Sequence, residues 1–146
     1  MGKSILVPVD GSEHSKKALE FALELCAGLG GSITLLHVAQ SVPADRTLIL
    51  GGAAVTIEAS REELNKAGRQ VIDAAVTMAK GQNCQVSAAD VMRGDPAAQI
   101  VAQAKSMQAD LIVMGSRGLS DLAGLVLGSV SHKVNPLSSC TCILVK

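Results

Sequence analysis

Glycines and serines that could hold a phosphate group are concentrated between Gly115 and Ser131. Gly115 and Gly118 are separated by two residues, and nine further residues precede the pair Gly128 and Ser129. Glycines let a backbone approach a ligand closely, and the amides at the start of a helix attract anions. The same residues could form an ordinary turn and helix cap, so the spacing alone leaves both interpretations open.

The elements that must position these residues alternate between apolar strands and amphipathic helices. The predicted strands are five apolar segments, at 4–10, 32–38, 84–91, 109–115 and 140–146. The predicted helices begin after Ser12, near Ile57, at Asp95–Pro96 and at Ser129. The alternation predicts one α/β domain over residues 1–146, a doubly wound parallel sheet with right-handed crossovers and helices on both faces. The stretch from Ala39 to about Thr56 is predicted as an irregular connection.

Ligands of such sheets bind at the carboxyl ends of the strands, where the strand order reverses. The residues just after the predicted strands are therefore candidates for a binding site. They are Asp10 and Gly11 after the first strand, Val38 and Ala39 after the second, and residues 115–118 after the fourth.

Composition and charge exclude several classes of partner. Lys plus Arg equals Asp plus Glu at 13 each, and the chain has no basic cluster or aromatic platform, so nucleic acid is not an expected partner. No apolar run approaches the ~20 residues of a membrane span. Asp10 and Glu13 come too early for a secretory signal. These features favour a cytoplasmic protein without a membrane partner.

Cysteine and aromatic residues are assigned to structure. Cys26, Cys84, Cys140 and Cys142 lie in apolar stretches, as reduced core thiols would in a reducing compartment. Cys140 and Cys142 form a lone C-x-C without the further ligands that a zinc site needs, so no metal site is predicted. Phe21, the only aromatic residue, falls on the predicted apolar stripe of the first helix and is assigned to the core.

The glycine-rich segment resembles the ATP-binding motif of the universal stress protein family, G-x2-G-x9-G-(S/T), and meets every fixed position. The resemblance extends over essentially the whole chain, through VPVDGS, LLHV, GDPAAQI, DLIVMGSRG and the closing apolar strand. It implies a Rossmann-like five-stranded sheet in the order 3-2-1-4-5, with the site between strands one and four. It also implies an adenine nucleotide ligand, ATP with Mg²⁺.

The resemblance assigns roles to individual residues. Asp10 would contact the ribose or a metal-bridged phosphate, although a carboxylate after a strand could instead cap the local turn with its side chain. The backbone at Val38 would read the adenine edge. Pro8 and Val9 would lie beneath the base. Arg117 could pair with a phosphate or be a solvated turn residue. The expected binding residues are Pro8, Val9, Asp10, Val38, Met114, Gly115, Arg117, Gly118, Gly128, Ser129, Val130 and Ser131.

Neither a Walker A motif nor a kinase signature is present, and no catalytic residues are assigned. The leading hypothesis is a stress-response binding module controlled by nucleotide, with hydrolysis slow or absent. Two alternatives remain: a slow Mg²⁺-dependent ATPase or phosphotransferase that uses Asp10 with Ser129 or Arg117, and a nucleotide-independent interaction protein. The last strand would lie at a sheet edge, and we expect a homodimer through Thr141–Val145.

Overall fold

The computed structural model describes residues 2–40, 49–50, 53–54, 57–118 and 128–146. Apart from two short strands after β2, strands and helices alternate along these residues, as the sequence predicts. The strands are β1 (Ser4–Pro8), β2 (Ser32–Ala39), β3 (Ile49–Leu50), β4 (Ala53–Ala54), β5 (Gln85–Arg93), β6 (Leu111–Gly115) and β7 (Thr141–Val145). The helices are α1 (Glu13–Leu29), α2 (Ile57–Ala79), α3 (Pro96–Ser106) and α4 (Ser129–Leu137).

The main sheet has five strands in the order β5-β2-β1-β6-β7, and its neighbouring strands run parallel. Counting the main strands alone, this is the expected order 3-2-1-4-5, so the predicted Rossmann-like α/β fold is confirmed. The order reverses between β1 and β6, whose carboxyl ends therefore form the crevice where ligands of this architecture bind.

The connection after β2 is not wholly irregular, so that prediction was wrong in part. Two-residue strands β3 and β4 pair antiparallel, with Ile49 opposite Ala54 and Leu50 opposite Ala53. Such a short pair has little apolar patterning to reveal it in the sequence. The rest of the predicted connection, at 41–48, 51–52 and 55–56, lies outside the described residues.

Side-chain caps fix the start of two helices at the positions where the sequence predicts that they begin. Ser12 Oγ accepts a hydrogen bond from the Ser15 N–H at the start of α1, at 3.2 Å. Asp95 Oδ2 accepts one from the Ala98 N–H at the start of α3, at 3.0 Å. These caps determine where each helix begins after its strand, and thereby hold the loops at the carboxyl edge of the sheet.

Alternate residues of the strands pack on opposite faces of the sheet. On one face, Ile5 and Leu35 belong to a buried cluster covered by α1 and α2. On the other face, Leu6 and Leu36 belong to a cluster covered by α3 and α4. The helices therefore lie on both faces, as predicted for a doubly wound sheet.

The assignment of Phe21 to the core was wrong, because Phe21 is not among the buried residues of α1. Phe21 is 41% exposed and Leu29 is 43% exposed. The buried residues of α1 are Ser15, Ala18, Leu19, Ala22, Leu23 and Cys26. Apolar residues flank both sides of this stripe in the sequence, so spacing alone could not decide which side faces the sheet.

The expectation of four reduced thiols was also wrong. Cys26 and Cys84 form a disulfide, with Cα atoms 5.7 Å apart and a sequence separation of 58. Cys140 and Cys142 are free and half-buried. Burial raises the pKa of the Cys142 thiol, with the neighbouring Cys140 adding to the rise and a hydrogen bond from Ser138 opposing it.

Within the described residues, no group of three or more His, Cys, Asp or Glu side chains could hold a metal ion. None of the helices described is long and apolar enough to cross a membrane.

Candidate functional site

A cavity of about 370 Å³ opens at the carboxyl ends of β1, β2 and β6, within the ~300–1,000 Å³ typical of small-molecule sites. Apart from Gly128, every residue predicted for the site lies on its lining. Gly128 is the N-cap of α4, immediately before the lining residue Ser129. The structure therefore brings together residues that are more than 100 positions apart in the sequence.

Apolar side chains form much of this lining. Val9 and Met114 are 6% and 5% exposed, and Pro8 lies beside them. The sequence analysis did not predict two groups of lining residues, which helices contribute. They are Leu64, Ala67 and Val71 on α2, and Pro96 and Ile100 on α3.

The residues of α2 that line the cavity follow an apolar pattern in the sequence, but that pattern predicts only a buried helix face. Leu64, Ala67 and Val71 recur at three- and four-residue spacing along that helix, as the buried face of an amphipathic helix does. The amino-terminal part of this face lines the cavity, and Ala67 is exposed. Apolar spacing identifies the face of a helix that avoids water but does not say whether a core or a ligand covers it.

Asp10 takes part in the turn between β1 and α1. Its Oδ1 accepts a hydrogen bond from the Ser12 N–H at 2.9 Å, and its own N–H donates to Ser15 Oγ at 3.1 Å. Gly11 has a φ of +82°, which favours glycine and lets the chain turn away from the sheet. Asp10 also lines the cavity, so the turn holds the carboxyl group at the site.

The N–H and C=O of Val38 are on the side of β2 that faces β1, but β1 ends before it reaches Val38. The Leu36 carbonyl accepts a hydrogen bond from the Val9 N–H at 2.8 Å, so Leu36 presents its polar groups to β1. Alternate residues of a strand present theirs to the same side, so Val38 does the same. Because β1 ends at Pro8, the N–H and C=O of Val38 point into the crevice.

Hydrogen bonds through β6 fix the start of α4. Ser131 is 2% exposed, and its Oγ donates to the Gly115 carbonyl at 2.7 Å. The Gly128 N–H donates to the Ser116 carbonyl, while the Ser116 N–H donates to the Val145 carbonyl at 2.8 Å. The first turn of α4 is therefore tied to β6, and through it to β7.

The cap of α4 is a glycine, so the interpretation of Ser129 as an ordinary helix cap was wrong. Gly128 makes no side-chain capping bond. The first bond of the regular helical pattern runs from the His132 N–H to the Gly128 carbonyl, at 3.0 Å. Backbone amides in the first turn of a helix, together with the helix dipole, favour an anion. The half-buried Arg117 also lines this part of the cavity.

Two histidines near the site make hydrogen bonds. His37 Nδ1 donates to the Val9 carbonyl at 2.8 Å. His14 is half-buried, and its Nδ1 lies 3.2 Å from Ser116 Oγ. Residues 119–127, which separate the two halves of the glycine motif, lie outside the described residues.

Fold and site together define a doubly wound α/β protein with a ligand-sized cavity at its switch point. The model of the universal stress protein family matches residues 1–146. A universal stress protein from Bacillus subtilis, YxiE, is 35% identical over 149 residues, which cover 100% of each chain. The chain belongs to the universal stress protein family.

Solved structures share the fold over nearly their whole length. The hypothetical protein MJ0577 aligns with a TM-score of 0.81 at 25% identity, covering 100% of this chain and 96% of that one. A family protein from Arabidopsis thaliana with AMP bound has a TM-score of 0.70 at 22% identity, covering 99% and 91%. A family protein from Archaeoglobus fulgidus in complex with dAMP has a TM-score of 0.71 at 19% identity, covering 100% and 98%.

Proposed function

We propose that the protein binds an adenine nucleotide, ATP with Mg²⁺, and acts as a regulatory module whose partner choice depends on the bound nucleotide, with hydrolysis slow or absent. One observation carries the proposal: a single cavity is lined by Val38, by Asp10 and by the first turn of α4. Val38 would contact the base of a nucleotide, Asp10 the ribose, and the first turn of α4 the phosphates. The structures of relatives with AMP and dAMP bound support this choice.

The base would occupy the apolar part of the cavity. An adenine ring needs flat apolar contacts and a partner for its polar edge, and Val9 and Met114 offer the former. The N–H and C=O of Val38 form an adjacent donor and acceptor. They match the ring nitrogen acceptor and the N6 amino donor of adenine. The main chain would therefore supply the specificity for the base.

The phosphates would lie at the amino end of α4. Backbone amides of the first turn and the positive end of the helix dipole favour phosphate there, and Arg117 can add a charged partner. Mg²⁺ commonly binds through one or two carboxylates together with substrate phosphates. Asp10 is the carboxylate on the described part of the lining, and it would share the ion or contact the ribose.

Equilibrium dialysis against Mg-ATP tests the proposal. The chain has no Trp or Tyr, so bound adenine can be measured by ultraviolet absorbance over a low background. We expect saturable binding by the wild type. The Gly118→Val, Ser129→Ala double variant should lose it, because a side chain at 118 fills space beside the phosphates and the hydroxyl at 129 is removed.

A matched control double variant, Gly28→Val, Ser139→Ala, makes the same substitutions at exposed positions away from the cavity. It should bind like the wild type, since a Cβ on Gly28 meets nothing within 4 Å. Absence of binding by folded wild type would contradict the proposal. Rapid phosphate release that Asp10→Ala abolishes would show an ATPase instead of a binding module.

We also propose that the module is a homodimer that pairs through β7. This strand is at one edge of the main sheet, where unpaired main-chain groups favour pairing with another chain. The Val145 carbonyl accepts a hydrogen bond from the N–H of Ser116, directly after β6, so Thr141 and Ile143 also present their polar groups to β6. By the same alternation, Cys142 and Leu144 present theirs outward.

Proline at an outward-facing position tests the dimer. Cys142→Pro removes an N–H that faces away from β6, so we expect it to yield a monomer with the main sheet intact. Cys142→Ala removes the same thiol but keeps the N–H, and it should remain a dimer. Light scattering at micromolar concentration distinguishes the two states. A monomeric wild type, or a dimeric Cys142→Pro variant, would contradict pairing through β7.

A further inference from the structure

We propose that His37 is a positioning residue that keeps the N–H of Val38 available to the adenine ring. The proposal rests on the nucleotide site proposed above. It concerns how His37 keeps the Val38 N–H from pairing with another main-chain group. Where β1 ends, the hydrogen bonds between β1 and β2 depart from the regular parallel pattern.

Regular pairing between β1 and β2 would continue one hydrogen bond further than it does. The Val9 N–H donates to the Leu36 carbonyl at 2.8 Å. In a regular parallel ladder the next bond would run from the Val38 N–H to the Val9 carbonyl. The described residues do not make this bond, and the Val9 carbonyl instead accepts a hydrogen bond from His37 Nδ1 at 2.8 Å.

Packing against α2 holds the imidazole where it makes this bond. A Cβ placed on Gly68 would lie 2.9 Å from His37 Cδ2 and 3.4 Å from Nε2. It would also lie 3.0 Å from Val91 Cγ1. The missing side chain of Gly68 therefore makes the space in which the ring sits. Because Nδ1 faces a carbonyl oxygen, Nδ1 carries the proton and donates it.

The bond from His37 affects which groups a ligand can reach. While the Val9 carbonyl is engaged by His37, the Val38 N–H remains directed into the crevice beside its own carbonyl. Without the imidazole donor, the Val9 carbonyl would need another partner, since an unpaired buried acceptor is unfavourable. The Val38 N–H is the nearest one that regular pairing supplies. The strand would then extend, and adenine would lose its donor.

The test is the ratio of the dissociation constants of Mg-ITP and Mg-ATP, measured by equilibrium dialysis with the full chain. Hypoxanthine carries an oxygen where adenine carries the N6 amino group, so it mismatches the edge that Val38 reads. We expect the wild type to prefer ATP by on the order of 10- to 100-fold, the range of a matched donor and acceptor pair. His37→Leu should lower this preference, mainly by weakening ATP binding, because the donor of Val38 is lost while its carbonyl still accepts from the N6 amino group.

Two further variants separate positioning from simple packing. His37→Asn has an amide N–H that can donate to the Val9 carbonyl, so it should retain the preference for ATP. Gly68→Ala displaces the ring without changing a cavity residue, and it should lower the preference. Gly68→Ala also keeps the proposal testable if His37→Leu does not fold.

Several results would overturn the proposal. Equal weakening of ATP and ITP by His37→Leu would indicate a structural role only, and an unchanged ratio in His37→Leu or Gly68→Ala would show that the bond does not matter. A wild type that binds ATP without preference over ITP would overturn the proposal while leaving the nucleotide site intact. A folded wild type that binds neither nucleotide would overturn the proposed function itself.

Discussion

Reduction of the Cys26–Cys84 disulfide is expected to lower the free energy of unfolding by about 4 kcal/mol. The bridge joins residues separated by 58 positions. In the chain-entropy model, a crosslink of this span removes conformational freedom from the unfolded chain worth about 4 kcal/mol. That is a large share of the ~5–15 kcal/mol that stabilises a domain of this kind. Urea unfolding of the oxidised and reduced proteins measures the difference.

Alanine variants distinguish the bridge from a general effect of the reductant. Cys26→Ala, Cys84→Ala should be destabilised in both conditions, and reductant should not change its midpoint. The matched variant Cys140→Ala, Cys142→Ala keeps the bridge and should lose stability on reduction as the wild type does. Thiol titration of the unfolded wild type should find two thiols before reduction and four after. Equal stability of oxidised and reduced wild type would contradict the prediction.

The same bridge should leave nucleotide affinity unchanged while the protein stays folded. Cys84 directly precedes β5, and Cys26 lies in the last turns of α1 before β2 begins. Both positions are at the amino ends of the strands, whereas the cavity is at the carboxyl ends. Dialysis with Mg-ATP in reductant, at a temperature where the reduced protein is folded, measures this. A large loss of affinity would contradict the separation of the two ends.

The disulfide could not be predicted from spacing because its cysteines meet only through the sheet topology. Ser32 pairs with Gln85 at the start of the neighbouring strands β2 and β5. Cys26 precedes the first of these strands and Cys84 the second, so the strand order brings them together. Their apolar surroundings in the sequence fit a core thiol equally well, which is why compartment arguments favoured the reduced form.

The main sheet and most of the site could be predicted, because strand ends and glycine spacing are local in sequence. Asp10, Val38 and 115–118 each follow a recognisable apolar strand, and parallel topology then brings them to one edge. The walls from α2 and α3 could not be predicted in this way. Leu64 and Ile100 look like core residues of amphipathic helices, and only the three-dimensional packing shows which of them pass the edge of the sheet.

Gly115 was correctly predicted to line the site, but the sequence analysis gave only part of the reason why a glycine is needed there. The sequence assigned this glycine to close contact with a ligand, and it does line the cavity. An added Cβ would, however, lie 2.8 Å from the His14 carbonyl carbon and 3.0 Å from the Ser15 nitrogen. The first turn of α1 occupies the space that a side chain would need. Gly115 is therefore required by the packing of α1 on β6.

Gly115→Ala is accordingly expected to lower the free energy of unfolding by about 3 kcal/mol, the upper part of the usual range for overpacking. The atoms in conflict belong mainly to the backbone of α1 and cannot rotate away. The start of α1 is also fixed by the hydrogen bonds of Asp10 and Ser12. Relief requires α1 to move from β6, which would carry Asp10 away from α4, so Mg-ATP affinity should fall as well.

Gly28→Ala is the matched control, because a Cβ there meets nothing within 4 Å and the residue is in the exposed part of α1. Replacing a helical glycine by alanine should raise the free energy of unfolding by up to about 1 kcal/mol. Urea unfolding and dialysis of both variants decide the matter. If Gly115→Ala is as stable as Gly28→Ala, the contact with α1 is not tight. If Gly115→Ala is destabilised but binds Mg-ATP normally, α1 and β6 adjust without moving Asp10. The site would then tolerate more motion at its edge than the hydrogen bonds of Ser116 and Ser131 imply.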